Sequence, residues 1–262
     1  MNDFSTDPNC VALWNLESGV LTVDSKGSNT LSSSIDEDTV NYKQGLCSGL
    51  WVRANGDRMW MADADLDSGF PGKDGESNKN FSIPVWVRFN SKDVNQWLTQ
   101  KGASGSYCWN FYLNTSNQVR LAISSNGTSW TNVLIHDSVL DTGRWYHITV
   151  TYDNSDYSAR IRIWDDTAHV IVGTDKTGTM GDLFISAGTL FLGYPSASST
   201  LDGNMDEIVV LNDVLTVDEI DQIRAGTYGG APPPVTNRLY LMGRPPGCYA
   251  TKRCIVERYA CI

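Results

Sequence analysis

Apolar and polar residues alternate with a period of two along much of the chain. The stretch 144–152 shows the pattern most clearly, since every second residue is apolar: Tyr146, Ile148, Val150 and Tyr152. The stretch 159–164 alternates isoleucine with arginine in the same way. Successive side chains of a β-strand point to opposite faces, so this period predicts strands with one face in a core and the other against polar surroundings.

The same pattern predicts more than ten short strands, many of them separated by turns rich in Gly, Ser, Asn and Asp. The predicted strands are 11–16, 49–53, 58–62, 81–89, 109–114, 119–124, 130–135, 144–152, 159–164, 169–173, 189–193 and 205–211. Many short strands without helices between them favour an all-β fold, a two-sheet antiparallel sandwich. Pro84 lies inside 81–89 and predicts a bulge or a sheet edge, because proline cannot donate a hydrogen bond.

One short helix is predicted at the C-terminal end of the sandwich. Thr216 is a suitable N-cap, Glu219 completes a capping box, and Gly226 is a suitable stop. Its apolar stripe consists of Val217, Ile220 and Ile223. The helix is expected to pack on the sandwich.

Three segments are predicted along the chain: a sandwich over 1–228, a Gly/Pro linker over 229–234, and a tail over 235–262. The tail holds five basic residues against one acidic residue, and three of the six cysteines. Its charge predicts that it docks on an acidic surface or stays solvated, and both alternatives are open. Tail disulfides are equally open, and the absence of a CxxC pair argues against zinc.

Charge and hydropathy limit the possible partners. Apolar residues make up 41% of the chain, and the formal net charge is −10. An acidic surface repels phosphate groups, so we predict no nucleic-acid binding. No apolar run is long enough to insert into a membrane, and the first ten residues do not have the pattern of a signal peptide.

Several sequence landmarks occur in an order that is similar to a known family. They are Val11–Glu17 (VALWNLE), the turn 24–29 (DSKGSN), 61–65 (MADAD), Phe81–Phe89 (FSIPVWVRF), Gly143–Asp153 (GRWYHITVTYD), Leu201–Leu211 (LDGNMDEIVVL) and the helix start at Leu215-Thr216. Together they resemble the laminin-G-like jelly roll of the concanavalin A-like lectin/glucanase superfamily, in its bacterial or phage form. The resemblance covers residues 10–228 and implies a jelly-roll sandwich.

The resemblance also implies a structural calcium ion between the first turn and the late Asp-Glu segment. Matching positions give the candidate ligands Asp24, Gly27, Asn29 and Asp206, with Glu17 as a further one. Ca²⁺ prefers six to eight oxygen ligands, which carboxylates and turn carbonyls supply. The alternative is that Asp24 and Asn29 form an Asx-turn and that Asp206 caps a loop.

The chain is predicted not to be an enzyme. Glucanases of this superfamily carry an E-x-D-x-x-E strand, whose alternate carboxylates serve as nucleophile and acid, and no such string occurs here. Asp206 and Glu207 are adjacent, so their side chains are expected to point to opposite faces. No G-x-S-x-G motif is present, and His147 is expected to be a structural residue of its strand.

Aromatic residues near loops and strand ends predict a carbohydrate site, which needs an aromatic platform with polar groups close by. The candidates are Trp97, Tyr107, Trp109, Asn126 and Trp130. The alternative for any one tryptophan is packing, and four tryptophans within strands are expected to be core: Trp14, Trp86, Trp145 and Trp164.

Two functions remain open at this point. The first is a binding or display module for carbohydrate or cell-surface adhesion. The second is a structural component of an assembly, such as a decoration or tail-associated protein of a phage virion, with the tail contacting a neighbouring subunit. The partner is accordingly a glycan or a neighbouring protein, including a second copy in a homo-oligomer. Either function places the protein outside cells or in a virion.

Overall fold

The computed structural model describes residues 2–103, 105–194 and 196–229. The predicted tail 235–262 and nearly all of the predicted linker lie outside these residues. Within them, no helix has the length and apolar character that a membrane span requires.

Seventeen strands and one α-helix make up the described part of the chain. The strands are β1 (Cys10–Trp14), β2 (Ser32–Ser33), β3 (Asp36–Asp38), β4 (Ser48–Trp51), β5 (Arg58–Met61), β6 (Phe81–Phe89), β7 (Gln96–Lys101), β8 (Trp109–Leu113), β9 (Val119–Ile123), β10 (Asn132–Ile135), β11 (Trp145–Tyr152), β12 (Ser158–Asp165), β13 (Val170–Ile171), β14 (Lys176–Thr179), β15 (Leu190–Gly193), β16 (Gly203–Asp206) and β17 (Ile208–Leu211). The helix is α1 (Val217–Ala225), and two 3-10 turns cover Arg53–Asn55 and Asp63–Asp65.

The strands form two antiparallel sheets. The ten-stranded sheet has the order β13-β12-β11-β6-β16-β4-β3, with β14 paired to β12 and β17 paired to both β1 and β6. The seven-stranded sheet has the order β10-β9-β8-β7-β15-β5-β2. The predicted all-β, two-sheet antiparallel sandwich with one short helix is confirmed.

The main core lies between the two sheets. The side chains of Tyr146 to Tyr152 that alternate along β11 all belong to it, as the period of two predicts. Trp14 is fully buried in this core, as expected. Trp86 is also buried, as expected, but on the other face of β6, where its ring packs against His147. Trp145 and Trp164 are only half-buried, so the prediction that they are core residues is wrong. Trp164 lies instead beneath the guanidinium of Arg224, 3.9 Å from it, on the outer side of the sheet.

A second, smaller core joins α1 to the outer side of β1 and β17. Ile220 and Ile223 of the helix are buried there together with Phe4, Cys10, Val209, Leu211 and Leu215. The predicted capping box of Thr216 and Glu219 is present, and Gly226 ends the helix with φ 73°. Next to the helix the chain returns to its start, where Tyr228 accepts a hydrogen bond from the backbone N–H of Asp3.

Three local features depart from regular strands. The sequence pattern did not predict β7, which contains a bulge between Trp97 and Thr99. The predicted strand 205–211 is split at Glu207, whose φ is 49°. Pro84 pairs with Thr149 without a bulge. On its other side, β6 is paired only at Ser82 and from Trp86 onward, so Pro84 faces a break in the ladder, as at a sheet edge.

Candidate functional site

The outer face of the seven-stranded sheet carries a continuous row of side chains. Each member opposes the next across a strand boundary: Val133, Ala122, Asn110, Gln100, Phe191, Trp60 and Ser32. The neighbours of these residues along each strand, such as Met59 and Phe111, belong to the core. Because side chains alternate along a strand, the row faces away from the core. We call this surface the aromatic face.

A ladder of stacked side chains lies beside this row. The rings of Trp97 and Tyr112 are parallel, with 4.3 Å between centroids and an interplanar angle of 2°. Arg120 lies 5.3 Å from the Tyr112 ring centroid, and the ring of Tyr194 lies 5.1 Å from that of Trp97, centroid to centroid, at an interplanar angle of 32°. The predicted platform residue Trp97 therefore has two aromatic neighbours, and the ring of Tyr112 covers one face of its indole.

Trp60 borders a depression of about 540 Å³ at the β2–β5 end of the aromatic face. Its lining combines the indole with three hydroxyl-bearing residues and one carboxylate: Thr30, Ser32, Thr189 and Asp65. Arg58 lies 4.9 Å from the Trp60 ring centroid. Ligand pockets range from about 300 to 1,000 Å³ and pair an apolar surface with a few polar groups, so this depression has the size and lining of a small-molecule site.

Asn110, at the centre of the aromatic face, is fully buried. Neither its amide oxygen nor its amide nitrogen has a hydrogen-bond partner among the residues that the structure describes. Leaving a buried polar group unpaired costs about 1–3 kcal/mol. Because both amide atoms are buried, a ligand on the aromatic face does not reach them, and the unpaired amide is a local cost to the fold.

The remaining predicted platform residues lie elsewhere. Trp109 is fully buried in the core and donates from its indole nitrogen to the carbonyl of Pro71, so it is not accessible to a ligand. Tyr107 and Trp130 do lie together, with 4.6 Å between ring centroids. The side-chain oxygen of Asn126 accepts hydrogen bonds from the backbone of residues 128 and 129, which ties it into an Asx-turn.

The predicted calcium ligands fall into two sets. In the first, one carboxylate oxygen of Asp24 accepts from the backbone N–H groups of Leu13 and Lys26. The other accepts from the backbone and side-chain N–H groups of Asn29, at 3.1 and 2.8 Å. Asp67, which sequence reasoning missed, also accepts from the Asn29 side chain. Each oxygen of Asp24 thus already has two donors, and this bonding is that of the Asx-turn alternative.

The second set contains Asp206 and Glu17, which both accept hydrogen bonds from the loop over residues 43–46. One oxygen of Asp206 accepts from the backbone N–H groups of Lys43 and Gln44. The other is buried and has no partner within the described chain. Glu17 accepts from the backbone N–H of Leu46. The two sets have no hydrogen-bond partner in common.

Burial acts strongly on the carboxyl groups of the second set. It raises the pKa of Asp206 to about 7, and the nearby charge of Glu17 adds to the effect. Burial also raises the pKa of Glu207 to about 8, with Asp206 and Glu17 adding to it. Because Glu207 has φ 49°, the strand alternation expected for the Asp206–Glu207 pair is interrupted there.

The two sets differ in how well they fit a hard cation. The unpaired, buried oxygen of Asp206, near Glu207 whose pKa burial, Asp206 and Glu17 raise, matches the oxygen ligand that Ca²⁺ requires. The saturated carboxylate of Asp24 does not. Across residues 2–103, 105–194 and 196–229, no group of three or more His, Cys, Asp or Glu side chains converges on one point. Any ion at Asp206 would therefore need backbone carbonyls as well.

Comparison with known proteins identifies the fold. The family model Laminin_G_3, described as concanavalin A-like lectin/glucanases superfamily, matches residues 70–221. The botulinum neurotoxin serotype C1 binding domain superposes with a TM-score of 0.58 at 16% identity, covering 84% of this chain and 52% of that chain. The serotype G binding domain gives 0.56 at 14%, covering 82% and 50%. The match thus spans about half of each of these two structures.

A third similar structure has a length closer to that of the present sandwich. It is domain 4 of AbnA, an extracellular arabinanase from Geobacillus stearothermophilus, in complex with arabinotriose, with a TM-score of 0.48 at 14% identity and coverage of 82% and 98%. No curated protein sequence matches the chain. The family match includes the predicted landmarks from Phe81 to the start of α1 and lies outside those before residue 70.

Proposed function

The chain belongs to the concanavalin A-like lectin/glucanase superfamily, and from this premise we propose that it is a non-enzymatic carbohydrate-binding module. The proposed binding surface is the aromatic face of the seven-stranded sheet. The observation that carries the proposal is the depression beside Trp60, where an indole meets three hydroxyl-bearing residues and a carboxylate. A sugar ring presents apolar C–H groups and polar hydroxyls together, and such a lining is complementary to both.

The two neighbours of Trp60 support this location. The half-buried indole of Trp60 is held by Arg58 and by its cross-strand neighbour Phe191, so it is ordered before any ligand arrives. Binding to an ordered surface avoids the entropy cost of fixing side chains.

The proposal that the module does not catalyse rests on the same face. Glycoside hydrolysis commonly needs two carboxyl groups on opposite sides of the scissile bond. The seven strands of this sheet contain no Asp or Glu, and the depression is lined by a single carboxylate, that of Asp65. Acid–base chemistry with two carboxyl groups has no support at this surface.

The test is a glycan array followed by calorimetry on the hits, with Trp60→Ala and a matched control. Trp145 is also half-buried, but it lies on the ten-stranded sheet, so Trp145→Ala removes the same side chain elsewhere. We expect Trp60→Ala to weaken binding at least about tenfold, a loss of about 1.4 kcal/mol, and Trp145→Ala to bind like the parent protein. Binding to no glycan at high protein concentration, or equal affinity in both variants, contradicts the proposal.

A structural Ca²⁺ ion is the proposed cofactor, and its best-supported position is beside Asp206 and Glu17. The support is the buried, unpaired oxygen of Asp206 and the raised pKa of Asp206 and Glu207, to which burial contributes most and the charge of Glu17 adds. A divalent cation there would neutralise charges that burial otherwise disfavours. Asp24, Gly27 and Asn29 of the original candidate set are then residues of a hydrogen-bonded turn.

A second candidate function is that of a structural component in an assembly, such as a phage virion. The observation that favours it is β10, an edge strand of the seven-stranded sheet, on which Val133 and Ile135 are 40% and 37% exposed. Edge strands of monomeric proteins usually carry charges that prevent pairing, and β10 has none. Sedimentation of the full chain tests this. If the parent protein forms oligomers and the Val133→Lys variant is monomeric, the result supports assembly. A parent protein that stays monomeric at 100-fold the working concentration contradicts it.

A further inference from the structure

Most arginines of the described chain are paired with aspartate. Five of the eight have an Asp oxygen within 4.0 Å: Arg53, Arg144, Arg160, Arg162 and Arg224. The three without such a partner among the described residues are Arg58, Arg88 and Arg120. In a chain with 30 acidic and 20 basic residues, an arginine left without a carboxylate is the less expected outcome.

Two of these three arginines lie on the aromatic face. Arg58 is two residues from Trp60 on β5 and lies over its ring, and Arg120 opposes Tyr112 across β8 and β9 and lies over that ring. The Nε atom of Arg120 is buried and has no hydrogen-bond partner in the described part of the chain. Stacking on an aromatic ring fixes the plane of a guanidinium and leaves its N–H edge free to bind.

The sheet around these arginines contains no opposing charge. Its seven strands contain Arg58, Lys101 and Arg120 and neither Asp nor Glu. Lys101 faces the interior, where it pairs with Asp63, so the two arginines are the ionic groups that remain on the aromatic face. Outside the strands, Asp65 lies on the lining of the depression and Asp57 directly precedes β5. The strands of the aromatic face therefore carry a net positive charge, within a protein whose formal net charge is −10.

The spacing of the two arginines indicates an extended ligand. Arg120 on β9 and Arg58 on β5 are four strand positions apart, which corresponds to about 19 Å at about 4.8 Å per strand. The rings of Tyr112, Trp97 and Tyr194 lie between them. We propose that the carbohydrate bound by this face is an acidic oligosaccharide, whose carboxylate or sulfate groups pair with Arg58 and Arg120.

This inference rests on the proposed carbohydrate-binding function and specifies its ligand class. Guanidinium groups bind carboxylates and sulfates through two parallel hydrogen bonds, which an exposed ammonium or hydroxyl group does not offer. Neutral sugars would use the Trp60 depression alone. An acidic chain would use the depression and both arginines, and its affinity would fall as salt screens the charges.

The experiment compares acidic oligosaccharides with matched neutral forms on the full chain. The pairs are oligogalacturonate and its methyl ester, sialyllactose and lactose, and a heparin tetrasaccharide and its desulfated form. Each is titrated by calorimetry at 0.05 and 0.5 M NaCl. The variants are Arg58→Gln, Arg120→Gln, the double variant, and Arg88→Gln as the control, because Arg88 also has no carboxylate partner but lies on β6 of the other sheet. Thermal melts verify that each variant is folded.

We expect at least one acidic member to bind at least tenfold more tightly than its neutral form at low salt. Each arginine substitution is expected to reduce that preference by about tenfold, and Arg88→Gln to leave it unchanged. Equal affinity for acidic and neutral forms, or a preference that survives in the double variant, overturns the inference and leaves the carbohydrate-binding function standing. Failure to bind any glycan, neutral or acidic, overturns that function instead.

Discussion

The imidazole of His147 lies edge-on against the indole of Trp86, with 5.0 Å between ring centroids and an interplanar angle of 61°. The two residues oppose each other across β6 and β11. Burial, with the positive charge of Arg224 adding to its effect, lowers the pKa of His147 to about 3. The imidazole is therefore neutral at pH 7 and packs as an aromatic ring, in agreement with the structural role that its strand position predicts.

This pair predicts how stability depends on pH. The histidine of the unfolded chain takes up a proton below about pH 6.5, whereas the folded one stays neutral down to about pH 3, so the unfolded state binds more protons in this window. The unfolding free energy should fall by up to about 1.4 kcal/mol per pH unit as the pH decreases from about 6.5 to 3. Urea unfolding at pH 7 and 4.5 measures it. In His147→Phe this contribution should be absent, and identical pH slopes in both proteins would contradict the assignment.

Breaking the buried ion pair of Lys101 and Asp63 should destabilise the sandwich. The two groups are 2.7 Å apart with side-chain exposures of 0% and 8%, and the ammonium also donates to the carbonyls of Ser186 and Gly188. Lys101→Met leaves a buried carboxylate without its counter-charge, at a cost of about 3–5 kcal/mol. Asp63→Asn should also be costly, and the double variant should cost less than the sum. Strict additivity in a double-mutant cycle would show that the pair is not coupled.

Removing the helix cap should loosen α1 from the second core. The hydroxyl of Thr216 accepts from the backbone N–H of Glu219, and the Glu219 carboxylate accepts from that of Thr216. Thr216→Ala loses the cap and should cost about 1 kcal/mol in urea unfolding. Thr216→Ser keeps the hydroxyl, so it should stay close to the parent protein. A cost equal to that of the alanine variant would mean that the methyl group, not the cap, matters.

Chelation should reveal the proposed calcium ion through the melting temperature. A ligand that binds only the folded state raises its stability, so EDTA should lower the melting temperature and added Ca²⁺ should restore it. Asp206→Asn should abolish this response, and Asp24→Asn should retain it because the Asp24 carboxylate is already saturated by N–H donors. A response lost in Asp24→Asn but kept in Asp206→Asn would move the ion to the first turn. No shift with either reagent removes the proposal.

Strands that obey the period of two could be predicted from the sequence, and those that break it could not. β11 and β12 alternate regularly, so their inner faces were identified residue by residue. β7 escaped prediction because its bulge after Trp97 shifts the alternation and because Lys101 turns inward to Asp63. The pairing that makes a buried lysine acceptable joins residues 38 positions apart, and no local pattern reveals it.

The type of candidate site could be predicted from the sequence, but its residues could not. A count of aromatic residues indicated a sugar-binding surface, but Trp60 was not singled out because its face of β5 depends on which strands β5 adjoins. The alternation of Arg58 and Trp60 with Met59 and Met61 was the signal that could have found it. Trp109 was wrongly chosen as a candidate because its position on β8 points it into the core, which the sequence pattern did not reveal. Asp67 was missed because a loop far along the chain brings it to the first turn.

The hydrogen bonds between the two ends of the sandwich give the fold a property of its own. Asn2 accepts from the backbone N–H of Tyr228 and donates to the carbonyl of Ile223, so positions separated by more than 220 residues are direct neighbours. A short peptide could join them, and the chain could be reopened at the exposed turn around Gly143. Such a circular permutant should adopt the same arrangement of strands. The arrangement of strands in the sandwich therefore does not depend on the chain starting before β1.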